Sequence, residues 1–441
     1  MLGKYRLIPH LPWHLWALMK SATHRCGNPK SIASEAGSLS RLFIFCTIMT
    51  LLPLQNSATG QEPPTSPSDH QAVVAFDAVT ARNWIDLVDT EHSGLIIINV
   101  VVDGKVLPAL LDTGTSVTVL DETIARSFGM EVRRYGKLVG NDGRKIALSE
   151  ASLESTAIGG WKQEKGMIGV ADLSEFRAAA DNAFSLIIGS DFLAHVALQV
   201  DWDGHRVRLL PSGTRALEGT SVPLRLESPF NVLVTTLSIN GRQFDRVLVD
   251  TGDNGGGVVQ TSLLPQLSMP ADRLTDVSQF GLAGPYVADY FRADEIEFGN
   301  VRVAKVPIQA MPTVSRGTLE YEAQVGMGLL SRLNFLLDPQ AGEIVLAPRS
   351  APAPPLDVST SGVQGIYRSD GLSIFHVMRG SPAEEAGLRA GDLICMVDGA
   401  KVDASWESGE QRRWSVAEPG RRVNLRLCDG RSKTFTLADF Y

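Results

Sequence analysis

The sequence predicts a mainly β protein with a bilobal body, made of two pseudo-symmetric β modules, and a small α+β domain at the end of the chain. Two observations lead to this prediction. The tripeptide Asp-Thr-Gly occurs at 112–114 and again at 250–252, and the residues around it repeat as well. The Pro-rich segment APAPPLD at 351–357 then separates the repeat from a C-terminal stretch of different sequence.

The repeat extends to both sides of the tripeptide. Downstream, IIGSDFLAHVALQVD at 187–201 aligns without a gap with QVGMGLLSRLNFLLD at 324–338. Upstream, NVVVDGKVLPALLD at 99–112 matches TLSINGRQFDRVLVD at 236–250 with one inserted residue. Both upstream segments carry a type I′ hairpin signal, Asp-Gly or Asn-Gly, between apolar runs. One module is therefore present twice.

Composition places the chain among globular proteins. With 441 residues, of which 44% are hydrophobic and 20% charged, it has room for two or three domains with cores of their own. Short Val/Ile/Leu runs predict strands in both modules, and a short helix is predicted at 121–128 and at about 262–267. The formal net charge is −8 and there is no Lys/Arg run, which argues against nucleic acid as a partner.

The first 60 residues have the pattern of a secretory leader. Arg41 precedes the apolar run LFIFCTIMTLLPL at 42–54, and Ala58 and Gly60 suit cleavage before Gln61. The run is shorter than the roughly 20 residues that span a bilayer, so no stable membrane span is predicted after the leader is removed. We therefore expect a periplasmic or secreted protein.

These patterns divide the chain into six segments. They are a leader (1–60), a linker and N-terminal segment (61–90), lobe 1 (91–212), lobe 2 (213–348), a Pro-rich linker (349–358) and a C-terminal domain (359–441). After the leader the cysteines are Cys395 and Cys428, and a disulfide between them stays open as an alternative in an oxidising compartment. Because the sequence has no paired CxxC and no HExxH spacing, no metal and no other cofactor is predicted.

Two Asp-Thr-Gly turns that face each other bring two carboxylates together. Because like charges at such a separation do not both ionise, Asp112 and Asp250 share one proton over a wide pH range. The ionised carboxylate can accept a proton from water while the protonated one donates to a carbonyl oxygen. This is general acid–base hydrolysis of an amide, and it needs neither a metal nor a covalent intermediate.

The neighbours of the two aspartates suit a supporting role. Gly114 and Gly252 allow a close backbone approach that a Cβ would block. Thr113 and Thr251 can hydrogen-bond across the pseudo-twofold axis. Thr115 can donate to the first carboxylate and lower its pKa.

The strings LLDTGTS and VLVDTG, together with IIG at 187–189, resemble the aspartic peptidase superfamily over about 91–348. Each module is similar in length to a retropepsin-like subunit, and the fusion of two modules is similar to pepsin. The resemblance implies that Asp112 and Asp250 are catalytic, that Ile188 and Gly189 support the first turn, and that the substrate is a peptide or protein. It also implies a hairpin flap over the cleft. The flap candidates are Asn141, Asp142 and Gly143 within 138–147, and Pro285 and Tyr286 within 280–290.

Lobe 2 departs from the superfamily pattern in two places. Gln324 stands where the superfamily has a hydrophobe, and Asp253 and Asn254 stand where it has Ala, Ser or Thr. Asp253 brings a third carboxylate near the pair, which we expect to raise the apparent pKa values of the pair. Two functions therefore stay open: an exported aspartic endopeptidase, and a catalytically degenerate protease-fold protein that binds peptides as an adaptor.

The C-terminal string GSPAEEAGLRAGDLICMVDG at 380–399 resembles bacterial PDZ domains, and the resemblance covers about 359–441. PDZ domains bind peptide C-termini by adding a strand to a sheet edge, while loop N–H groups hold the carboxylate. The matching loop and strand are Val363, Gln364, Gly365 and Ile366. The resemblance therefore implies a C-terminal peptide as ligand of this domain.

Overall fold

The computed structural model of the chain describes residues 50–53, 74–76, 83–88, 94–140, 142–180, 183–316, 319–353, 356, 358–407 and 409–441. The predicted leader, apart from 50–53, lies outside the described residues, as do most of 61–90, part of the Pro-rich linker and the flap candidate Asn141. Among the described residues, no helix is both long and apolar enough to cross a membrane.

Lobe 1 is a β-rich module with three short helices. Three strands precede it: β1 (Thr50–Pro53), β2 (Val74–Phe76) and β3 (Ile85–Asp86). Its elements are β4 (Ile97–Val102), β5 (Lys105–Leu111), β6 (Val119–Asp121), α1 (Glu122–Ser127), β7 (Val132–Val139), β8 (Lys145–Ile158), β9 (Trp161–Ala171), α2 (Ser174–Ala179), β10 (Leu186–Ile188), α3 (Ser190–Leu193), β11 (Ala197–Asp201) and β12 (Arg206–Leu210). Asp103 and Gly104, with φ of 47° and 74°, form the predicted type I′ turn between β4 and β5.

Lobe 2 repeats most of this order. It contains β13 (Thr220–Pro223), β14 (Arg225–Glu227), β15 (Val232–Ile239), β16 (Arg242–Val249), β17 (Gly257–Gln260), 3-10 helices at Thr261–Gln266 and Ala271–Arg273, β18 (Thr275–Gly281), β19 (Gly284–Phe298), β20 (Val301–Met311), β21 (Val314–Arg316), β22 (Leu319–Tyr321), β23 (Ala323–Val325), α4 (Met327–Leu330), β24 (Leu333–Asp338) and β25 (Glu343–Pro348). Asn240 and Gly241, with φ of 50° and 78°, form the equivalent turn. Where lobe 1 has α2, between β9 and β10, lobe 2 has the hairpin β21–β22.

Each lobe folds around one large curved sheet. The strand order is β1-β7-β8-β4-β5-β10-β6-β9-β2 in lobe 1 and β14-β15-β16-β23-β17-β20-β19-β18 in lobe 2. In both sheets the strand that leads into Asp-Thr-Gly, β5 or β16, runs parallel to the strand that carries the second repeated segment, IIG at 187–189 on β10 or QVG at 324–326 on β23. The Asp-Thr-Gly turn and the second repeated segment of each lobe therefore lie side by side, at the carboxyl ends of two parallel strands. The predicted fold class, mainly β with two pseudo-symmetric modules, is confirmed.

A third sheet joins the two lobes. Its order is β13-β25-β24-β11-β12-β3, so three strands of lobe 2 are followed by two strands of lobe 1 and by β3. β11 of lobe 1 pairs antiparallel with β24 of lobe 2, for example Leu198 with Leu337. Both residues are fully buried in the main hydrophobic core, which extends through both lobes.

Residues 358–440 form a separate compact unit with its own hydrophobic core. Its elements are β26 (Val363–Arg368), β27 (Gly371–Val377), α5 (Pro382–Glu385), β28 (Leu393–Val397), β29 (Ala400–Lys401), 3-10 helices at Ala404–Glu407 and Glu410–Val416, β30 (Arg422–Leu427) and β31 (Ser432–Thr436). Ser381 caps α5 by accepting the N–H of Glu384 at 3.2 Å. Cys395 and Cys428 form a disulfide, which the sequence had left open.

Candidate active site

Asp112 and Asp250 occupy equivalent positions at the ends of β5 and β16. The backbone N–H of each donates to a carbonyl oxygen of the parallel strand beside it, Ile188 for the first and Val325 for the second, both at 3.0 Å. The last residues of β5 and β16 are apolar and fully buried, so the chain carries both carboxyl groups into the interior. The two aspartates are only 1% and 0% exposed.

Reciprocal threonine hydrogen bonds tie the two turns together. The N–H of Thr113 donates to the hydroxyl of Thr251 at 3.0 Å, and the N–H of Thr251 donates to the hydroxyl of Thr113 at 3.1 Å. The hydroxyls donate in turn to the opposite strands, to the carbonyls of Val249 at 2.7 Å and Leu111 at 2.8 Å. Four buried hydrogen bonds thus cross the pseudo-twofold axis and fix the relative position of the two aspartates.

Two glycines are required by close approach. A Cβ on Gly252 would lie 2.3 Å from Cγ of Asp112 and 2.5 Å from both of its carboxylate oxygens. A Cβ on Gly189 would lie 2.5 Å from the carbonyl oxygen of Val117, in the loop that follows the first Asp-Thr-Gly. Both distances are far below van der Waals contact, so these positions accept no larger residue without movement of the site.

The carboxylate of Asp112 is surrounded by hydrogen-bond donors. Its Oδ1 accepts the N–H groups of Gly114 at 3.0 Å and Thr115 at 3.2 Å, and its Oδ2 accepts the Thr115 hydroxyl at 2.7 Å. Donors of this kind favour the ionised form. The predicted role of Thr115 as a donor to this carboxylate therefore has a direct geometric basis.

The surroundings of Asp250 are different. Its Oδ1 accepts the N–H of Gly252 at 3.0 Å, as in lobe 1, but Asp253 occupies the position of Thr115 and offers no hydroxyl. The Asp253 carboxylate accepts the N–H of Gly255 at 2.8 Å and the side-chain amide of Gln324 at 2.7 Å. Two of the three lobe 2 residues that depart from the superfamily pattern, Gln324 and Asp253, thus contact each other.

Arg316 is one of the residues that the sequence did not predict. It lies at the end of β21, is 1% exposed, and its Nη2 faces Oδ2 of Asp250 at 3.5 Å. The guanidinium also donates to the side-chain oxygen of Gln324 at 3.1 Å and to the carbonyl of Ser315 at 2.8 Å. The sequence signal that could have pointed to it is the interruption of the repeat where β21–β22 replaces α2.

Burial dominates the acid–base properties of the cluster. It raises the pKa of Asp112, against the donors from Thr115 and Gly114. Burial and the charges of Asp112 and Asp253 raise the pKa of Asp250 well above its ordinary value, and Arg316 opposes that rise. Burial also raises the pKa of Asp253 to about 7. The cluster therefore retains protons to a pH at which isolated aspartates are ionised.

Ser190 and Asp191 support the first turn from beneath and were also missed. The hydroxyl of Ser190 donates to the carbonyl of Thr113 at 2.6 Å. Asp191 accepts the N–H of Thr118 at 2.8 Å and its hydroxyl at 2.7 Å. Their signal was the string IIGSD, in which they directly follow Gly189. In the part of the chain that is described, no group of three or more His, Cys, Asp or Glu residues is arranged to hold a metal ion.

The two flap-candidate segments are hairpin turns that contact each other. Asp142 and Gly143 lie in the turn between β7 and β8, where Arg144 is ion-paired with Asp142. Nη2 of Arg144 donates to the carbonyl of Gly284, the first residue of β19 after the turn from β18, at 2.6 Å. Pro285 follows this turn on β19, and so does Tyr286, whose hydroxyl donates to Gln309 at 3.1 Å.

The segment proposed for peptide binding, Val363 to Ile366, lies on β26 at the edge of the C-terminal sheet. An edge strand is the geometry that strand addition requires. Two backbone N–H groups here already have hydrogen-bond acceptors in the preceding loop. The N–H of Val363 donates to the Ser361 hydroxyl at 3.1 Å, and the N–H of Gly362 donates to the Ser359 hydroxyl at 2.9 Å. A ligand carboxylate would compete with these two hydroxyls.

Comparison with protein families agrees with both parts of the chain. A family model described as aspartyl protease matches twice, at residues 98–192 and 235–331. A PDZ domain model matches residues 360–438. A search of curated proteins found no match to this chain. The two aspartyl protease matches contain the two Asp-Thr-Gly turns and the parallel strands beside them.

Proposed function

Because the chain carries two aspartyl protease domains and a PDZ domain, we propose that it is an exported aspartic endopeptidase acting on protein substrates through Asp112 and Asp250. The observation that carries the proposal is the joining of the two turns by four threonine hydrogen bonds, which hold two buried carboxyls in electrostatic contact. Interacting buried carboxyls share protons, as general acid–base catalysis requires.

The unequal surroundings of the pair assign the two roles in this proposal. Asp112, with three hydrogen bonds to its carboxylate, is the base that takes a proton from water as the water oxygen bonds to the peptide carbonyl carbon. Asp250, whose pKa is raised well above its ordinary value, is the acid that protonates the carbonyl oxygen. The proton on Asp112 then passes to the amide nitrogen as the C–N bond breaks, and Asp250 recovers its proton from the hydroxyl.

A second candidate function, a peptide-binding adaptor with an inactive protease fold, is favoured by one observation. Arg316 faces Asp250, and the pair is almost completely buried. Incubation of the full chain with denatured casein over a range of pH separates the two candidates. The endopeptidase must produce fragments, and a pepstatin-type inhibitor must suppress them. Absence of fragments from a folded protein would favour the adaptor.

We also propose that the protein acts outside the cytoplasm. The leader pattern at 1–60 supports this, and the Cys395–Cys428 disulfide is of the kind that persists in oxidising compartments. N-terminal sequencing of the exported protein is expected to begin at Gln61. Recovery of the intact N-terminus from the cytoplasmic fraction would contradict this proposal.

Removal of the PDZ domain is expected to reduce cleavage of intact proteins but not of short peptides. The PDZ domain has its own hydrophobic core, and a chain of residues 61–350 keeps all the buried residues of the main core. A tethered second site raises the effective concentration of a bound protein to the millimolar range, an advantage that a short peptide does not need. The measurement is kcat/KM on casein and on a decapeptide.

Residues 359–441 added as a separate chain serve as the control for this prediction. Because the effect depends on the covalent linkage, the separate domain should not restore activity on casein. Equal activity on casein with and without the linked domain would show that the PDZ domain does not recruit substrate.

A further inference from the structure

Three buried polar side chains of lobe 2 form a chain of contacts that ends on Asp250. We call Arg316, Gln324 and Asp253 the Arg316 network. Asp253 accepts the amide of Gln324, the oxygen of Gln324 accepts Arg316, and Arg316 faces Oδ2 of Asp250. The three side chains are 1%, 3% and 0% exposed. A guanidinium has only donors, so it fixes the orientation of the Gln324 amide, whose nitrogen then needs an acceptor such as Asp253.

Lobe 1 supplies an internal comparison. In lobe 1 the position of Asp253 is held by Thr115, and the position of Gln324 is held by Ile187. Ile187 pairs with Leu110 on β5 just as Gln324 pairs with Leu248 on β16. Oδ2 of each aspartate thus faces one donor from its own lobe, a hydroxyl in lobe 1 and a guanidinium in lobe 2. The donor to this carboxylate oxygen is therefore neutral in lobe 1 and positively charged in lobe 2.

Around the Asp112–Asp250 pair, the described carboxyl groups outnumber the described positively charged groups. The titratable and charged groups that face the cluster are Asp112, Asp250 and Asp253 from the two turns, Arg316 from β21, Tyr290 from β19 and Tyr321 from β22. Burial raises the pKa of Tyr290 well above its ordinary value and that of Tyr321 to about 12, so both are neutral at physiological pH. Among the described groups, three carboxyls therefore face one cation.

We propose that Arg316, held by Gln324 and Asp253, is a positioning residue that sets the pH range of peptide cleavage by the Asp112–Asp250 pair. The proposal rests on the proposed function. The cation favours ionisation of the pair at every pH because an arginine side chain stays protonated. The Asp253 carboxyl opposes it above about pH 7, where Asp253 is itself ionised. Within the Arg316 network, Arg316 thus favours ionisation of the pair and Asp253 opposes it.

Substitutions at the two ends of the network are expected to move the pH profile of kcat/KM in opposite directions. Arg316→Gln removes the cation and should move the profile toward alkaline pH by about one to three units. Asp253→Thr removes a negative charge and restores the hydroxyl found in lobe 1, so it should move the profile toward acid. Arg316→Lys retains the charge and should return the profile most of the way to that of the unmodified protein.

Arg246→Gln is the matched control. Arg246 lies in the same lobe over the Tyr321 ring and pairs with Glu227, without contact to Asp250, so its loss should leave the profile in place. If Arg316→Gln fails to fold, Gln324→Ile combined with Asp253→Thr recreates the residues of lobe 1 and should move the profile toward acid. An unmoved profile in the folded variants would overturn the proposal. So would a uniform rise in activity for Arg316→Gln without a shift, because Arg316 would then only obstruct the site.

A second readout does not depend on catalysis. Folded-state pKa values above the unfolded values mean that folding takes up protons, so the free energy of unfolding falls as pH rises between them. The free energy of unfolding should fall more steeply with pH for Arg316→Gln and less steeply for Asp253→Thr. Near pH 7 the change in slope should correspond to a difference of up to about one in the number of protons taken up on folding. If the full chain cleaves nothing but these slopes change as stated, the proposed function fails, while the effect of Arg316 and Asp253 on the ionisation of the pair is still demonstrated. If the variants are active, with unchanged pH profiles of kcat/KM and unchanged slopes of the free energy of unfolding, the proposed function stands and the proposed role of Arg316 is wrong.

Discussion

Asp112→Asn and Asp250→Asn are each expected to lower kcat/KM on casein by about 10⁴-fold, the upper end of what general acid–base groups contribute. In the proposed mechanism the two carboxyls exchange protons with water and with the substrate, and each substitution removes one of them. The shape of the site should survive, because an amide can still accept the N–H groups that now donate to the carboxylates. The measurement is steady-state cleavage at several pH values, with residual activity compared against a blank.

The same variants should hold or gain stability at neutral pH. Burial and mutual repulsion keep the pKa of Asp250 well above its unfolded value, so ionisation of the pair destabilises the folded state as pH rises. An uncharged residue removes part of that cost. Thermal unfolding at pH 5 and pH 8 should therefore show a smaller loss with rising pH in the variants than in the unmodified protein.

Asp294→Asn is the control for both effects, since Asp294 is an exposed carboxylate on β19 of lobe 2. It should change neither activity nor the pH dependence of unfolding. Near-full activity in Asp250→Asn would show that the single-chain pair is wrong. A homodimer using Asp112 from two chains would then be the better description of the active enzyme.

Gly252→Ala is expected to lower kcat/KM by at least about 100-fold and to destabilise the fold by about 1–3 kcal/mol. The new Cβ would lie 2.3 Å from Cγ of Asp112, so either the turn of lobe 2 or the Asp112 carboxyl must move. Movement of the carboxyl by about an ångström is enough to disturb proton transfer. The stability loss is measured by denaturant unfolding and the activity by casein cleavage.

Gly166→Ala tests whether any added methyl has this effect. A Cβ on Gly166, which lies on β9, would meet the side-chain nitrogen of Gln163 at 2.5 Å, and that flexible side chain can turn aside. Activity should be unchanged in this variant. If Gly252→Ala behaved like Gly166→Ala, the two turns would be less closely packed in solution than the described geometry requires.

Local chemistry and repetition were sufficient to predict most of the fold. Asp103-Gly104 and Asn240-Gly241 predicted hairpins because two successive residues with positive φ favour such dipeptides, and both turns have that conformation. The duplication then predicted two pseudo-symmetric lobes, and the family comparisons agree with two protease modules and a PDZ domain. The role of each site residue stays a prediction that the variants above test.

The burial of Arg316 beside Asp250 could not be predicted, for a physical reason. The strands of the hairpin that carries it have three residues each, too short to show alternation, and Arg316 is separated from Asp250 by 66 positions. Gln324 and Asp253 were each recognised as unusual, but their contact depends on the parallel pairing of β16 with β23. A charged residue in a polar stretch gives no sign that it will be buried, since most such residues lie on the surface.

The sheet that joins the lobes has a consequence for how this protein can evolve. An assembly of two identical subunits receives every mutation twice, so a network such as Arg316–Gln324–Asp253 would appear on both sides of its axis and add two cations and two further carboxylates. Here β11 and β24 come from one polypeptide, so each half can inherit its own changes. At equivalent positions, lobe 1 has Thr115 and lobe 2 has Asp253, which is a difference of this kind. In the proposed mechanism, covalent fusion lets one lobe supply the base, Asp112, and the other lobe supply the acid, Asp250.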